Sequence, residues 1–494
     1  MSHTANGSGN GGTTAVPPPP QPRPPASKDA HVTFTSAEGV ALRGALTRMS
    51  RHVVTFELYS PGTVLSNSEV LADFSVNYQG ASIYLGRAVI RSLVDANTKT
   101  VCEVTLDETR WLKADPLLLS RHDGQIAKAF KDFLTEWQKS YAVSSEFKVA
   151  VADMQTFMRD LQLWLDQLEL KIKLNPKLKA ERQELEIISQ LAEAAVPAIN
   201  VLFEKFESVA RSVSSEHRAA HASYMRQHLH PLVLCAPFAN RTFEKPRGYA
   251  GDYEMVNMII RNGFEGDSIY AKILHFWFAS QPPAMAHRNR IKYLAGTIER
   301  ESYRVARAGR PARIFNFACG PAAEILEFIK TRSFQPRIDF TLADFDGETL
   351  EYVQRSLRKE YGELPSKLKI NYRKMSVHQL MKECRRLINS EASKFDLVYC
   401  AGLFDYLPNN SCKELMNIFY DMVVPGGLLV ATNVEPSNPL RYGMEYLLDW
   451  HLIYRNDEQM RDICPEATDK ADVCVRTDVT GVNLFLEVRK PDNG

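Results

Sequence analysis

The sequence predicts a multi-domain chain: a small β-barrel near the N-terminus, a helical middle region, and a C-terminal α/β domain built on a parallel sheet. Three observations predict it. Short β-type runs separated by turn residues occupy residues 31–115, a helical period replaces them to about 230, and strand-like and helix-like segments alternate regularly after 300. A chain of 494 residues, 45% of them hydrophobic, is long enough for several compact domains, each with its own core.

Bulk properties exclude some partners. The 60 Lys and Arg against 59 Asp and Glu leave a formal charge of +1, too little to gather nucleic acid or an anionic membrane face. Eight cysteines (Cys102, Cys235, Cys319, Cys384, Cys400, Cys412, Cys464, Cys474) form no CxxC pair, the pattern of buried thiols in a reducing compartment. No metal site is indicated. The N-terminus lacks a basic segment followed by an apolar one, and no apolar run approaches the ~20 residues of a membrane helix. The expectation is a soluble, cytoplasmic protein without stable membrane insertion.

Taken in order, residues 1–30 are Gly, Ser, Asn and Pro with almost nothing to bury, so they read as a disordered tail, with a polyproline run at Pro17–Pro20. From 31 to 115, "VVTFELYS", the Pro61-Gly62 turn, "ASIYLGRAVIRSLV" and "KTVCEVTL" suggest a barrel or sandwich. Residues 116–230 read as a helical bundle or linker. Met154, Met158, Leu161, Leu165, Leu168 and Ile172 fall on one helix stripe, Asn175-Pro176 ends it, and a second helix follows with a bend expected at Pro197. Dimerisation through this region is a secondary expectation. Residues 231–300 read as a helical cap, and 301–494 as right-handed βαβ units closed by an antiparallel hairpin around Thr480-Gly481.

The first βα turn of that domain, "FACGPAAE", contains only one glycine, Gly320; Ala318 and Ala322 stand where two more would let backbone approach a pyrophosphate. A phosphate-rich dinucleotide is badly served by such a turn, whereas a ligand without phosphates needs one close approach and small neighbours. Asp344, at the end of the second strand and 24 residues after Gly320, can accept hydrogen bonds from both hydroxyls of a ribose. Asp346 is placed to cap the following helix. Ribose without phosphate points to S-adenosylmethionine.

With "FDLVYCAGLFDYL" and "PGGLLV", the set resembles the class I S-adenosylmethionine-dependent methyltransferases, whose domain is Rossmann-like. "KPRGYAGDYEMVNMIIRNG", "HRNRIKYL", "ACGPAAE", "AGLFDYL" and "RYGMEYLLDWHLIYR" are similar to bacterial proteins of extracellular factor (3-hydroxypalmitic acid methyl ester) biosynthesis over about 220–494. That resemblance implies methylation of a fatty-acid carboxylate. The N-terminal stretch resembles a PilZ-type barrel, with Arg48 and Arg51 at the arginine pair and Asp73, Ser75 and Gly80 at the turn, although both spacings depart from the motif. It implies a cyclic di-GMP or protein partner there.

The expected cofactor contacts are Phe317, Ala318, Gly320, Asp344, Phe345, Ser376, Val377 and Ala401. A carboxylate acceptor needs no base, since its charge and that of the sulfonium both fade in the transition state. A hydroxyl or amine acceptor needs one within hydrogen-bond reach, and His378, Asp405, Tyr406, Glu435 and Tyr249 are candidates; Glu435, before Pro436, can equally cap a helix. For a small-molecule acceptor, Tyr253, Arg290, Asn433, Arg441 and Trp450 are the expected contacts, with Tyr249 and Tyr253 forming a lid. The alternative is a non-catalytic signalling scaffold. A nucleic-acid or protein methyltransferase is disfavoured, because "AGLFDYLP" stands where an Asn/Asp-Pro-Pro-[Tyr/Phe] motif would follow strand four.

Overall fold

The computed structural model describes residues 30–492 apart from 60–63, 79–80, 97–98, 108–109, 113–142, 175–180, 332–335, 363–365, 389–392 and 470–471. The expected tail, the Pro61-Gly62 turn, Gly80 and the Asn175-Pro176 stop lie outside the described residues.

Six antiparallel strands, β1 (Ala30–Thr35), β2 (Ala41–Met49), β3 (Val53–Leu58), β4 (Val70–Tyr78), β5 (Ala81–Ala96) and β6 (Lys99–Leu106), close into a barrel in the order β1-β2-β3-β6-β5-β4. Closure removes the exposed edges that a small sheet would otherwise leave. Period-two alternation points Val54, Phe56 and Leu58 of β3 inward, where Phe56 meets Phe34 and Phe74 at ring separations of 5.4 and 5.8 Å. Of the motif positions considered for a nucleotide, Arg48 and Arg51 are exposed. Asp73 is engaged by the amide and hydroxyl of Thr35.

The helical layer begins with Ser145–Leu174, whose buried side chains include Met154, Met158, Leu165 and Ile172. Leu161 and Leu168 pack on the same cluster, so the stripe read from the sequence is the one that faces the core. The next helix, Glu181–Arg211, contains Pro197 in its interior. An 18-residue window within its Gln183–Arg211 portion has a mean hydropathy of 1.3, against the expectation that no run was apolar enough to cross a membrane. Its Ile188, Ala192, Ile199, Phe203 and Phe206 are buried among the other helices, which gives the segment a core role. Helices Arg218–Val233, Pro237–Glu244, Tyr253–Arg261, Ile269–Ser280 and Pro282–Ala306 complete the layer.

The C-terminal sheet contains β7 (Ala312–Phe317), β8 (Ile338–Asp344), β9 (Leu368–Lys374), β10 (Phe395–Cys400), β11 (Val423–Val434), β12 (Val473–Thr477) and β13 (Asn483–Arg489). Its order is β12-β13-β11-β10-β7-β8-β9, parallel from β9 to β11 and antiparallel in the β12–β13 hairpin. This is the expected Rossmann-like class. Successive residues feed two cores: Ile314 and Leu397 join the helices Pro282–Ala306 and Ala323–Thr331 on one face, while Phe315 and Val398 join Asn409–Met422 on the other. One boundary differs from the sequence reading. Pro425, Gly426 and Gly427 lie within β11, which pairs with β10 from Val423 onward through a register shift, so they form an irregular part of the strand.

The barrel is docked on the rest of the chain. The Asn67 amide donates to Tyr406 O at 3.0 Å and the Val70 amide to Gly248 O at 2.8 Å. Asp449, at φ 52°, accepts from Arg226 of the helical layer at 2.8 Å and from Thr105 of β6 at 3.2 Å, and faces His451 at 2.9 Å. Burial works against its charge, but Arg226, His451 and Lys245 outweigh it and hold the carboxyl well below its ordinary value. Asp449→Ala is expected to lower stability by about 3–5 kcal/mol by leaving buried cations unpaired; Asp449→Asn, which keeps the left-handed turn, should cost less. Denaturant unfolding checks this, and a loss in the alanine variant under about 1 kcal/mol would contradict the role given to this carboxylate.

Candidate functional site

In an open α/β sheet the ligand position is the C-terminal edge where strand order reverses. Here the reversal lies between β7 and β10, and a cavity of about 260 Å³ opens there, near the lower end of the usual small-molecule range of ~300–1,000 Å³.

The loop after β7 takes a left-handed conformation three times in alternation, at Ala318 (φ 57°), Gly320 (φ 51°) and Ala322 (φ 49°). Two alanines therefore sit where the side chain opposes the backbone, at about 1–2 kcal/mol each. A carboxylate holds the turn: Asp344 at the end of β8 accepts from the Gly320 amide at 3.1 Å with Oδ2 and from the Asp346 amide at 3.0 Å with Oδ1. A side chain built on Gly320 would meet nothing within 4 Å, so glycine is favoured here by its φ and leaves open space. Burial pushes the Asp344 carboxyl up to about 6; its remaining lone pairs can accept from a ligand's hydroxyls.

A second loop covers this end. Arg247 grips Asp346 through two hydrogen bonds of 2.6 and 2.9 Å, and Asp346 caps the helix Gly347–Tyr361 through the Glu348 amide, as expected from the sequence. Gly248–Asp252 is thereby tied over Asp344. Tyr249 packs edge-on against Phe345 at 5.1 Å, and Tyr253 stacks on Tyr352 at 4.6 Å.

The opposite end of the cavity is apolar: Phe203, Phe238, Val256 and Trp277 of the helical layer line it together with Met444 and Trp450 from the segment after β11. Between the two ends lies Arg290, 8% exposed. Its guanidinium crowds Gly402, where a Cβ would come to 3.0 Å from Nη1, and the φ of 89° there favours glycine. Nη2 donates to Nε2 of His287; burial and the neighbouring arginines Arg290 and Arg288 lower that imidazole well below its ordinary value, leaving it neutral with Nε2 as acceptor. Among the described residues Arg290 forms no ion pair, and Asp405 and Glu324 act on it only at longer range. Those carboxylates have their own donors, Val434 N at 2.7 Å for Asp405, and Asn316 at 2.9 Å with Tyr399 at 2.7 Å for Glu324.

The cavity brings together Phe317, Ala318, Gly320, Asp344, Phe345, Ser376, Val377 and Ala401, and also Tyr249, Tyr253, Arg290 and Trp450. It does not bring in His378, Glu435, Asn433 or Arg441. Glu435 accepts from the Ser437 amide, a local turn contact; it does not cap the next helix, Arg441–Leu447, whose N-cap is Leu440. Asn433 Oδ1 accepts from Arg455 while Nδ2 donates to Ile453 O. Arg441 pairs with Glu445 at 2.9 Å and lines a separate cleft with Arg91 and Arg218. His378 stands beside Glu38, outside the cavity lining. Tyr249 lies at the Asp344 end, where burial and the carboxylates of Asp344 and Asp346 raise its pKa and keep the phenol protonated, so it is a donor and not a base. Sequence reading missed His287, Glu324 and the apolar helical wall; it also missed Ala37, Glu38, Val64, Ser66 and Glu69, which the barrel contributes. Among the described residues no group of three His, Cys, Asp or Glu suits a metal ion.

No protein-family model matches the sequence, and no curated protein matches it. Among solved structures, a possible exported protein from Bordetella parapertussis is similar at 18% identity, covering 51% of this chain and 86% of that one, with a TM-score of 0.39. Magnesium protoporphyrin IX methyltransferase (ChlM) from Synechocystis PCC 6803, crystallised with SAM, is similar at 9% identity, covering 42% and 82%, with a TM-score of 0.29. An O-methyltransferase family protein from Burkholderia thailandensis is similar at 12% identity, covering 57% and 75%, with a TM-score of 0.31. These are distant likenesses, and the fold rests on the strand order of the chain itself.

Because the Cβ of Ala318 opposes its φ, Ala318→Gly is expected to leave stability unchanged or raise it by up to about 1 kcal/mol, whereas Gly320→Ala should lower it by about 1 kcal/mol. Thermal or chemical unfolding of the two variants checks the opposite signs. A substantial loss in Ala318→Gly would show that the alanine methyl contributes packing that outweighs the strain.

Proposed function

We propose that this chain is an S-adenosylmethionine-dependent methyltransferase acting on a small molecule with a carboxylate and a long apolar body, of the hydroxy fatty acid kind. The observation that carries the reading is Arg290, a buried guanidinium with no ion pair among the described residues, set between the Asp344–Gly320 clamp and the apolar end of the cavity. Desolvating an arginine is costly unless an anion meets it, and the guanidinium protons not given to His287 can meet a carboxylate.

The residues fit the cofactor. Asp344 has lone pairs for ribose hydroxyls, Gly320 leaves backbone approach open, and Phe317, Phe345 and Val377 offer apolar surface to a base. When bound, S-adenosylmethionine supplies an electrophilic methyl group: an acceptor oxygen forms its bond to that carbon as the carbon–sulfur bond breaks, and S-adenosylhomocysteine leaves. Arg290 fixes the acceptor oxygens, and the helical wall aligns the acceptor's body and excludes water. Such alignment supplies up to ~7–11 kcal/mol in well-oriented systems. Near Arg290, Nε2 of His287 is occupied, Tyr249 is held protonated, and the carboxylates of Asp405 and Glu324 already accept from Val434 N and from Asn316 and Tyr399; this favours an acceptor already ionised over a hydroxyl or amine. The docked barrel counts against the scaffold alternative, since it walls the same cavity.

The test is transfer of labelled methyl groups from S-adenosylmethionine to hydroxylated long-chain fatty acids, with Arg290→Gln and Arg290→Met alongside wild type. Ester formation by wild type, with kcat/KM lowered at least about 30-fold in both variants at unchanged fold, is expected. Preference for a hydroxyl or amine acceptor, or full activity without Arg290, would overturn the reading.

A further inference from the structure

The barrel supplies part of the wall of the cavity. The turn after β1 places Ala37 and Glu38 on its rim, and the segment before β4 adds Val64, Ser66 and Glu69. Glu69, 4% exposed, ties the two together: Oε1 accepts from the Ala37 amide at 2.7 Å and Oε2 from the Ser66 amide at 2.9 Å. The same segment is anchored to the site's own backbone through Asn67 to Tyr406 and Val70 to Gly248. Glu38 is therefore placed by a buried carboxylate clamp and by two contacts with the walls of the site.

The position of Glu38 matters because of what lies opposite. Its carboxylate and Ser376 line the same cavity, with Ser376 and His378 lowering the carboxyl's pKa against the rise that burial causes, while Ser376 Oγ accepts from the Gln379 amide at 3.2 Å. Ser376 follows β9, the neighbour of β8 that carries Asp344, about one strand spacing, ~4.8 Å, along the sheet edge. A ribose held by Asp344 directs its base either toward β9 or back toward the apolar end of the cavity. The way back passes Arg290, whereas Val377, which follows β9, Phe345 and Glu38 line the cavity with apolar surface and a carboxylate at its rim.

We propose that Glu38, a residue of the N-terminal barrel, is a specificity-determining residue for the cofactor, accepting a hydrogen bond from the exocyclic amine of its purine. The inference rests on the cofactor reading above. A carboxylate only accepts, so it matches a purine amine and is left facing a lone pair by a purine carbonyl. The barrel then completes the cofactor site.

Calorimetric titration of the full chain with S-adenosylhomocysteine and S-inosylhomocysteine at pH 8, where the carboxylate is ionised, tests this on wild type, Glu38→Gln and Glu38→Ala. Wild type should prefer the adenosyl ligand by at least about 10-fold. Glu38→Gln, whose amide donates as well as accepts, should shift the preference at least about 10-fold toward the inosyl ligand; Glu38→Ala should reduce it without reversing it. Equal preference in all three proteins, with the adenosyl ligand bound, would overturn the assignment of Glu38 and leave the cofactor reading intact. Failure of wild type to bind either ligand would overturn both. Glu38 is exposed at the rim, so both variants are expected to fold, and their melting temperatures confirm it.

Discussion

The site depends on one buried carboxylate. Asp344 sits at the end of β8 and reaches across to the amide of Gly320 in the loop after β7, fixing a turn in which three alternating residues are left-handed. That acceptor joins the backbone bonds from Cys319 N to Ala343 O and from Ala322 N to Cys319 O in offsetting the strain of Ala318 and Ala322, and it fixes one edge of the open space at Gly320. The same carboxylate orders the next turn through Asp346, and Asp346 receives Arg247. A chain of polar contacts thus runs from the sheet to the loop that covers it, and each link is local enough to be set by the strand ends.

What the sheet edge does not supply comes from elsewhere in the chain. The apolar end of the cavity is built from the helical layer, where Phe203 and Trp277 pack at 4.3 Å, and from the segment after β11. The rim is closed by barrel residues held through Glu69. Three regions of different texture therefore meet at one cavity, and Arg290, from the long helix before β7, stands where they converge. An enclosed arginine among apolar groups is costly in isolation; its position makes sense when an anion is part of the working assembly.

Much of the scaffold was legible in the sequence because periodicity reports burial directly. The stripe from Met154 to Ile172 and the alternation of strands and helices after 300 both depend on local pattern, and Gly320 and Asp344 were readable because their types and spacing serve one geometry. Tertiary placement was not legible. Glu38 lies in an ordinary turn, and only docking of the barrel brings it to Ser376. His287 reads as one more helical residue until burial and Arg290 fix its protonation. Glu435, Asn433, His378 and Arg441 lie near strand ends or shortly after them, but a strand end fixes a Cα and not the direction of a side chain; the side chains of Glu435, Asn433 and Arg441 meet the Ser437 amide, Arg455 and Glu445. Pro425 to Gly427 looked like a turn because local propensity cannot register the pairing of β11 with its neighbours.

The most direct measurement is calorimetric titration with S-adenosylmethionine at pH 7.5 and at pH 5, on wild type and Asp344→Ala. A carboxyl raised to about 6 in the free protein is ionised at the higher pH and largely protonated at the lower. Binding to wild type should therefore weaken at least several-fold on acidification as the acceptor for the ribose is lost, and Asp344→Ala should bind weakly at both. Absence of binding to wild type, or binding by Asp344→Ala equal to it, would contradict the account.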